Sequence, residues 1–497
     1  MSGYEIPSVE PGLDTIWVAI NTFLIMFMQL GFSFVEAGSV RKKNVHSILM
    51  KNTLDICIGT VTWWLFGYAF AFGESRASGF IGSSKDLYVA NQIQSASGYV
   101  HWLNQWAFAS TATTIISGAV AERLLIQGYQ VIFLVMTGFI YPVVVHWAWG
   151  NGWLMEQNFH DFAGTNAVHM VGGVAGLVAT VIIGPRIGRF DKNRQREFRP
   201  HSIKDIVLGT IVLWFCWYGF NCGTVQGFSE DIENASAQVG LVGINTTLGA
   251  IGGALVAFFA GVIINKHVDY NAGTVNICMG ILAGLVAITG CCNVVEPWAA
   301  LLTGMVGSLV YIGHSKLLVK LKIDDPLDAS SIHFACGVWG GIATGLFQFE
   351  NGLIYGGDRI GIQLLGILCI CGKIIQQILL KMFNLKHFVH FLAWTGGLTA
   401  IIALIMKKIG WLRCSAEIEE IGFDNIHDPE SVQMIEVEKQ QYLQQQELYQ
   451  QQQKLQQQQN QYQQKQEPKE TIQISKYSNS NSGNSGDKDT EAVVQNK

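Results

Sequence analysis

Asp161-Phe-Ala-Gly-Thr-Asn-Ala-Val-His169 and, 164 residues further on, Asp325-Pro-Leu-Asp-Ala-Ser-Ser-Ile-His333 are the stretches on which the reading of this chain turns. Each places an aspartate eight residues before a histidine. Each histidine is then followed by Gly at +4, Val at +5 and Gly at +7 (Gly173, Val174 and Gly176; Gly337, Val338 and Gly340). Glycine-rich segments repeat easily, but ordered offsets shared by two distant segments mark an internal repeat. Both stretches run into apolar sequence of membrane-spanning length.

About 20 mostly apolar residues cross a hydrocarbon core of about 30 Å as a helix. Such runs lie near 15–38, 53–73, 98–121, 128–150, 162–184, 203–223, 240–264, 273–290, 297–314 and 329–349, with a further apolar region at 360–406. Composition agrees: of 497 residues, 49% are hydrophobic and only 14% are charged, against about 25% charged in soluble domains. The formal net charge of −5 belongs to the tail, because residues 415–497 hold 14 acidic and 7 basic side chains. The near-neutral remainder argues against a nucleic-acid binder with a basic face. Ten cysteines, mostly inside apolar runs and with no C-x-x-C pair, support neither zinc nor redox chemistry. Cys291 and Cys292 are adjacent and read as a packed pair.

Basic residues collect after runs one (Arg41, Lys42, Lys43, Lys51), five (Arg186, Arg189, Lys192, Arg194, Arg196, Arg199, Lys204), nine (Lys316, Lys320, Lys322) and the last (Lys407, Lys408, Arg413). Basic loops stay cytoplasmic, which predicts an N-terminus outside, a C-terminus inside and eleven spans. The N-terminal stretch has no basic region, so the first apolar run is expected to act as the insertion signal. Region 360–406 is too long for one span, and about 372–392 reads as an insertion, on one reading a translated intron.

The repeats fall on runs five and ten. Five spans per half invert the second half, an architecture found in many transporters. Eight residues of helical rise put each histidine about 12 Å past its aspartate, near mid-bilayer, the two approaching from opposite faces. A single intramembrane histidine is as often a satisfied packing residue as a functional one. Two related by symmetry shift the balance, because polar groups at that depth are costly and usually line a pathway. They could hydrogen-bond a small neutral polar molecule or relay protons. As a metal site they are poor, with only two ligands.

Together with WYGFNCGT (217–224), SGAVAER (117–123) and EPW (296–298), these stretches resemble the ammonium transporter family, in its Amt/Mep branch, from about Thr15 to Glu430. The resemblance implies an all-α integral membrane protein of eleven transmembrane helices in a five-plus-five inverted repeat, assembled as a homotrimer with a pore in each protomer. It implies ammonium or ammonia as substrate, no cofactor and no enzymatic activity. Phe108 and Phe220 resemble the outer and inner gate phenylalanines. Trp149 and Thr224 resemble members of the external recruitment site, where the family often has Ser at the position of Thr224. Asp161 resembles the essential aspartate near it, and His169 and His333 the pore pair. Asp325 starts the second repeat as Asp161 starts the first. Taken singly, Trp149 reads as an interfacial aromatic, Phe108 and Phe220 as packing residues and Asp161 as a helix N-cap.

Residues 415–430 (SAEIEEIGFDNIHDPE) resemble the family's cytosolic E-E-x-G-x-D motif. Asn104 replaces a frequent aromatic, and HDPE stands where the motif commonly ends H-G-E. The domain reading is thus 1–414 for the transporter, 415–430 for the motif and 431–497 for a disordered or weakly helical cytosolic tail. In that tail 17 of the 27 residues from Gln440 to Gln466 are Gln. Its partner is not legible. Asn234-Ala-Ser236 is a glycosylation sequon in an expected outside loop. Three classes remain: a multi-pass transporter, expected in the plasma membrane; an ammonium sensor on the same fold with little flux; and a membrane metal protein or enzyme needing further ligands beside the histidines.

Overall fold

Inside a bilayer an unpaired backbone amide finds no water, so apolar runs must satisfy their own hydrogen bonds as helices. In a computed structural model, which describes residues 9–91, 93, 95–371, 394–429, 433, 437, 440, 444, 448 and 450–459, they do so. The first five helices are α1 (Val9–Ser39), α2 (Lys42–Phe72), α3 (Ala96–Ala119), α4 (Ile126–Glu156) and α5 (Thr165–Ile183). The next five are α6 (Ile203–Cys222), α7 (Ile232–Asn265), α8 (Tyr270–Ile288), α9 (Pro297–Lys320) and α10 (Ser331–Phe347). Each matches one of the ten apolar runs in order. Two-residue strands, Ser75–Arg76 and Ile81–Gly82, form the one sheet among the described residues.

Eight of these helices, all but α3 and α10, are long and apolar enough to cross a membrane. Helix α3 has the length but is diluted by Asn104, Gln105 and a buried row of Ser110, Thr111, Thr113, Thr114 and Ser117. Helix α10 is simply shorter. The eleventh region forms α11 (Arg359–Cys371) and α12 (Trp394–Lys408). The insertion read at about 372–392 lies between them, outside the described residues. The chain is therefore an all-α membrane protein, with polar groups turned inward. Its outer faces carry Ile16, Ile20, Phe23 and Phe27 on α1 and Leu255, Phe259 and Ile263 on α7, a polarity suited to lipid.

The two repeats run antiparallel: Arg186, just past the end of α5, pairs with Asp324, just ahead of α10. Helical backbone begins only at Thr165 and Ala329, four residues past each aspartate, so the 12 Å of rise assigned by sequence does not apply. The physical reason is capping. Asp161 Oδ2 accepts from the amides of Asn166 (2.9 Å) and Ala167 (2.8 Å). Asp325 accepts from Ala329 (3.1 Å) and Ser330 (2.7 Å). Both helices then open on a wide π-helical turn, Thr165–Met170 and Ser331–Ala335, each containing its histidine.

At the basic face, Arg186 is clamped between Asp324 (2.8 Å) and Glu122 (2.8 Å), and Glu122 also pairs with Arg41. Burial pushes both carboxyls up, but Arg186, with Arg41 beside Glu122, outweighs it and holds both below the ordinary carboxylate range. The C-terminal motif packs onto this face. Asp424 accepts from the His46 and Ser47 amides (both 2.8 Å), Glu419 from the Ile187 amide (2.6 Å), and Glu420 pairs with Arg194 (2.9 Å). Residues 415–429 thus belong to the same compact unit as the helices, which runs to Val432. In the second unit, residues 450–459 are helical. The Asn234 sequon occupies the first turn of α7 rather than a loop, because Asp231 caps that helix through the Asn234 amide (3.0 Å).

Candidate functional site

The sequence-predicted residues come together as a file of rings. Trp149, at the end of the regular part of α4, meets Phe108 of α3 edge-on, with centroids 5.9 Å apart. Phe108 meets Phe220 of α6 at 4.5 Å, and Phe220 stacks on His169 at 5.3 Å. His169 stacks on His333 at 5.2 Å, and beyond His333 lies Phe32 of α1 at 6.2 Å. Phe108, Phe220, His169 and His333 are all buried.

Asp161 joins this file indirectly: the Trp149 indole N–H donates to its backbone oxygen at 2.8 Å, while its carboxylate holds the start of α5. Thr224 lies one helical turn past Phe220 and donates its hydroxyl to the Phe220 carbonyl at 3.0 Å, leaving oxygen lone pairs to accept. Asp325 does not join the file. It holds the start of α10, as its place in the repeat implies. Asn104, the departure from family pattern, donates to Thr22 at 3.0 Å and is buried.

The imidazoles meet through Nδ1 atoms 3.3 Å apart. One Nδ1 must carry the proton and the other the lone pair, so the two rings are opposite tautomers and one Nε2 is a donor while the other is an acceptor. Two imidazolium rings would set N–H against N–H, so the pair holds at most one positive charge. His169 Nε2 has no protein hydrogen-bond partner among the described residues.

The glycines of the repeat explain the meeting. A Cβ on Gly173 would stand 2.2 Å from the Phe334 amide nitrogen, and one on Gly337 would stand 2.9 Å from Met170 Cβ. Each glycine lets its helix approach the other repeat's histidine segment. Asn166 fastens the crossing by donating to the Gly337 carbonyl at 3.0 Å.

Sequence reasoning missed Trp217, whose ring lies nearly parallel to His169 with centroids 4.9 Å apart. Its N–H donates to Thr289 at 2.8 Å, so the ring is fixed. The signal was there, since Trp217 stands three residues before Phe220 and so on the same face of α6. Beyond His333 a cavity of about 30 Å³ is lined by Phe32, Ile115, Leu213 and Leu282 among apolar groups, and by Glu36. Among the described residues, no three His, Cys, Asp or Glu side chains are placed to hold a metal.

These features define a multi-span helical membrane protein whose buried core holds a stacked pair of histidines. The profile described as Ammonium Transporter Family matches residues 16–431, and the chain belongs to that family. It is 36% identical to "Ammonium transporter 1 member 3" of Solanum lycopersicum over 452 residues, 84% of this chain and 92% of the relative. Among solved structures, "Sensor Amt Protein" superposes with a TM-score of 0.74 at 31% identity, covering 85% of this chain and 100% of its own. Mep2 of Saccharomyces cerevisiae superposes with a TM-score of 0.69 at 28% identity, covering 81% and 89%.

Proposed function

We propose that this chain carries ammonium across a membrane by taking the cation at Trp149 and Phe108, removing a proton beside the phenylalanines, and passing ammonia along His169 and His333. The observation that carries the reading is the unbroken file of rings from Trp149 to His333, spaced 4.5–5.9 Å. An aromatic face attracts a cation by roughly 0.5–2 kcal/mol, and the Thr224 oxygen adds an acceptor. Past the Phe108–Phe220 contact the surroundings are apolar, so a permanent cation such as K⁺ loses its hydration with no return. Ammonium escapes that cost by leaving its proton behind. Ammonia then meets one donor and one acceptor nitrogen on the histidine pair, matching its own lone pair and N–H groups.

In this reading the working unit is a homotrimer in the plasma membrane, with Trp149 toward the outside and the basic face toward the cytosol. The basic loops after α1, α5 and α9 support that orientation. The test is growth on ammonium as sole nitrogen source, with ammonium-evoked current on supported membranes, for the intact chain, Asp161→Ala and His169→Ala. Strong current in the intact chain and at least tenfold less in both variants is expected. Equal currents in all three would refute the site. A sensor with little flux is the second reading, favoured by the superposition on "Sensor Amt Protein". Ammonium binding without current in the intact chain would select it.

A further inference from the structure

The reading above leaves a proton behind whenever ammonia enters the pore, and it gives the histidines only each other. Beneath His333 one further titratable side chain lines the same small cavity: Glu36, in the last turn of α1 and 2% exposed. A carboxylate buried in a membrane protein is costly unless paired. Its partner is Lys51 of α2, 3% exposed, with Nζ 3.6 Å from Glu36 Oε2.

The two members of this pair face different spaces. Glu36 lines the cavity of about 30 Å³ with His333, large enough for one or two molecules the size of water. Lys51 lines a second cavity of about 290 Å³ at the basic face, together with Asn44, Glu122, Tyr129 and Phe423. The pair therefore bridges the inner end of the pore and a space beside the C-terminal motif. We propose that Glu36 and Lys51 form the proton exit of the pore, branching from the ammonia path at the cavity beneath His333.

The step balances without any co-reactant. A proton reaching the cavity beneath His333 binds the Glu36 carboxylate, giving the neutral acid. Lys51, its counter-charge gone, releases a proton to water in the larger cavity and becomes a neutral amine. The Glu36 acid then hands its proton to the Lys51 amine, restoring the ion pair. One proton has left the pore and one has entered the cytosolic space, and no covalent bond to carbon has changed.

The groups around the pair suit a relay. From α3, Ser117 donates to Glu36. From α2, Asp55 lies near Lys51 and accepts from Thr114 at 2.7 Å. From α4, Tyr129 bonds Lys51 through its hydroxyl at 3.1 Å and lays its ring 4.2 Å from Nζ. From α10, His333 faces Glu36 across the cavity, and Glu122 lines the outer one.

The inference rests on the transport reading, and one experiment separates their failures. The full chain and the double variant E36Q/K51M are reconstituted in vesicles, and an ammonium jump is followed by current and by the total ammonia accumulated inside, with protein-free vesicles as the blank. The double variant removes Glu36 together with its partner, a change that folded proteins generally tolerate, and Asp55 beside them keeps its hydrogen bond from Thr114. The expected result is current reduced at least tenfold with ammonia entry within about threefold of the intact chain. Unchanged current in the double variant overturns the proton exit. So does equal loss of current and ammonia entry, which makes the pair structural. If the intact chain gives neither signal, the transport reading itself has failed.

Discussion

Asp161→Ala tests how the Trp149 end of the site is built. The carboxylate is 4% exposed, and its Oδ2 accepts from two backbone amides, Asn166 and Ala167, at 2.9 and 2.8 Å. Alanine leaves both amides without an acceptor in a place water does not reach. Each unsatisfied buried donor costs about 1–3 kcal/mol, so the pair costs roughly 2–6 kcal/mol. Asp161→Asn keeps an oxygen in place and loses only the charge in those bonds, roughly 1–2 kcal/mol in all. The expected order of thermal stability is therefore wild type, then Asn, then Ala, with several degrees between the last two. Because the Trp149 indole is tied to the Asp161 carbonyl at 2.8 Å, ammonium current should fall in the same order. Melting of purified protein in detergent, followed by tryptophan fluorescence, is measured beside supported-membrane current on the same preparations. An alanine variant that melts within about one degree of wild type while losing its current would refute this reasoning, since the carboxylate would then be acting on the substrate and not on the helix.

At the basic face, Arg186→Met leaves Glu122 and Asp324 buried against a lost guanidinium, and should cost about 3–5 kcal/mol, read as a lowered melting temperature. The pH dependence follows from sign. The Asp324 carboxyl lies below its ordinary value in the folded chain, so its stabilisation is complete above the unfolded value of about 3.9 and fades only as pH falls through the lower folded one. Wild type should therefore show no loss from this pair between pH 7 and pH 5, checked by melting at each pH. His169→Ala and His333→Ala should be non-additive, because the two Nδ1 atoms share one hydrogen bond; a double-mutant cycle on melting temperature should show coupling of about 0.5–3 kcal/mol. Gly173→Ala touches no substrate, yet its methyl group would stand 2.2 Å from the Phe334 nitrogen. Overpacking of that kind costs about 1–3 kcal/mol, and the separated histidines should carry at least tenfold less current; a variant with normal current would show that the crossing tolerates expansion.

What could be read from sequence was what the bilayer dictates position by position. Ten apolar runs became α1 to α10 because hydrocarbon admits no other use of them, and the histidines stood out because little else polar repeats at their offset. What could not be read depends on partners that sequence spacing hides. The π-helical turns around His169 and His333 answer to caps four and six residues upstream, and an ideal helical rise counted from the aspartates misplaces them. Trp217 shares the Phe220 face of α6, but only the crossing of α5 and α6 lays it on His169. Glu36 sits in the last turn of α1, and no spacing in the sequence ties it to a partner. Its meaning comes from Ser117, 81 residues away, and from Lys51 on the neighbouring helix. The same economy explains both outcomes. A chain with so few charges spends them at its rims, so any charged group drawn inward must be held by contacts made in three dimensions, and those are the groups a one-dimensional reading reaches last.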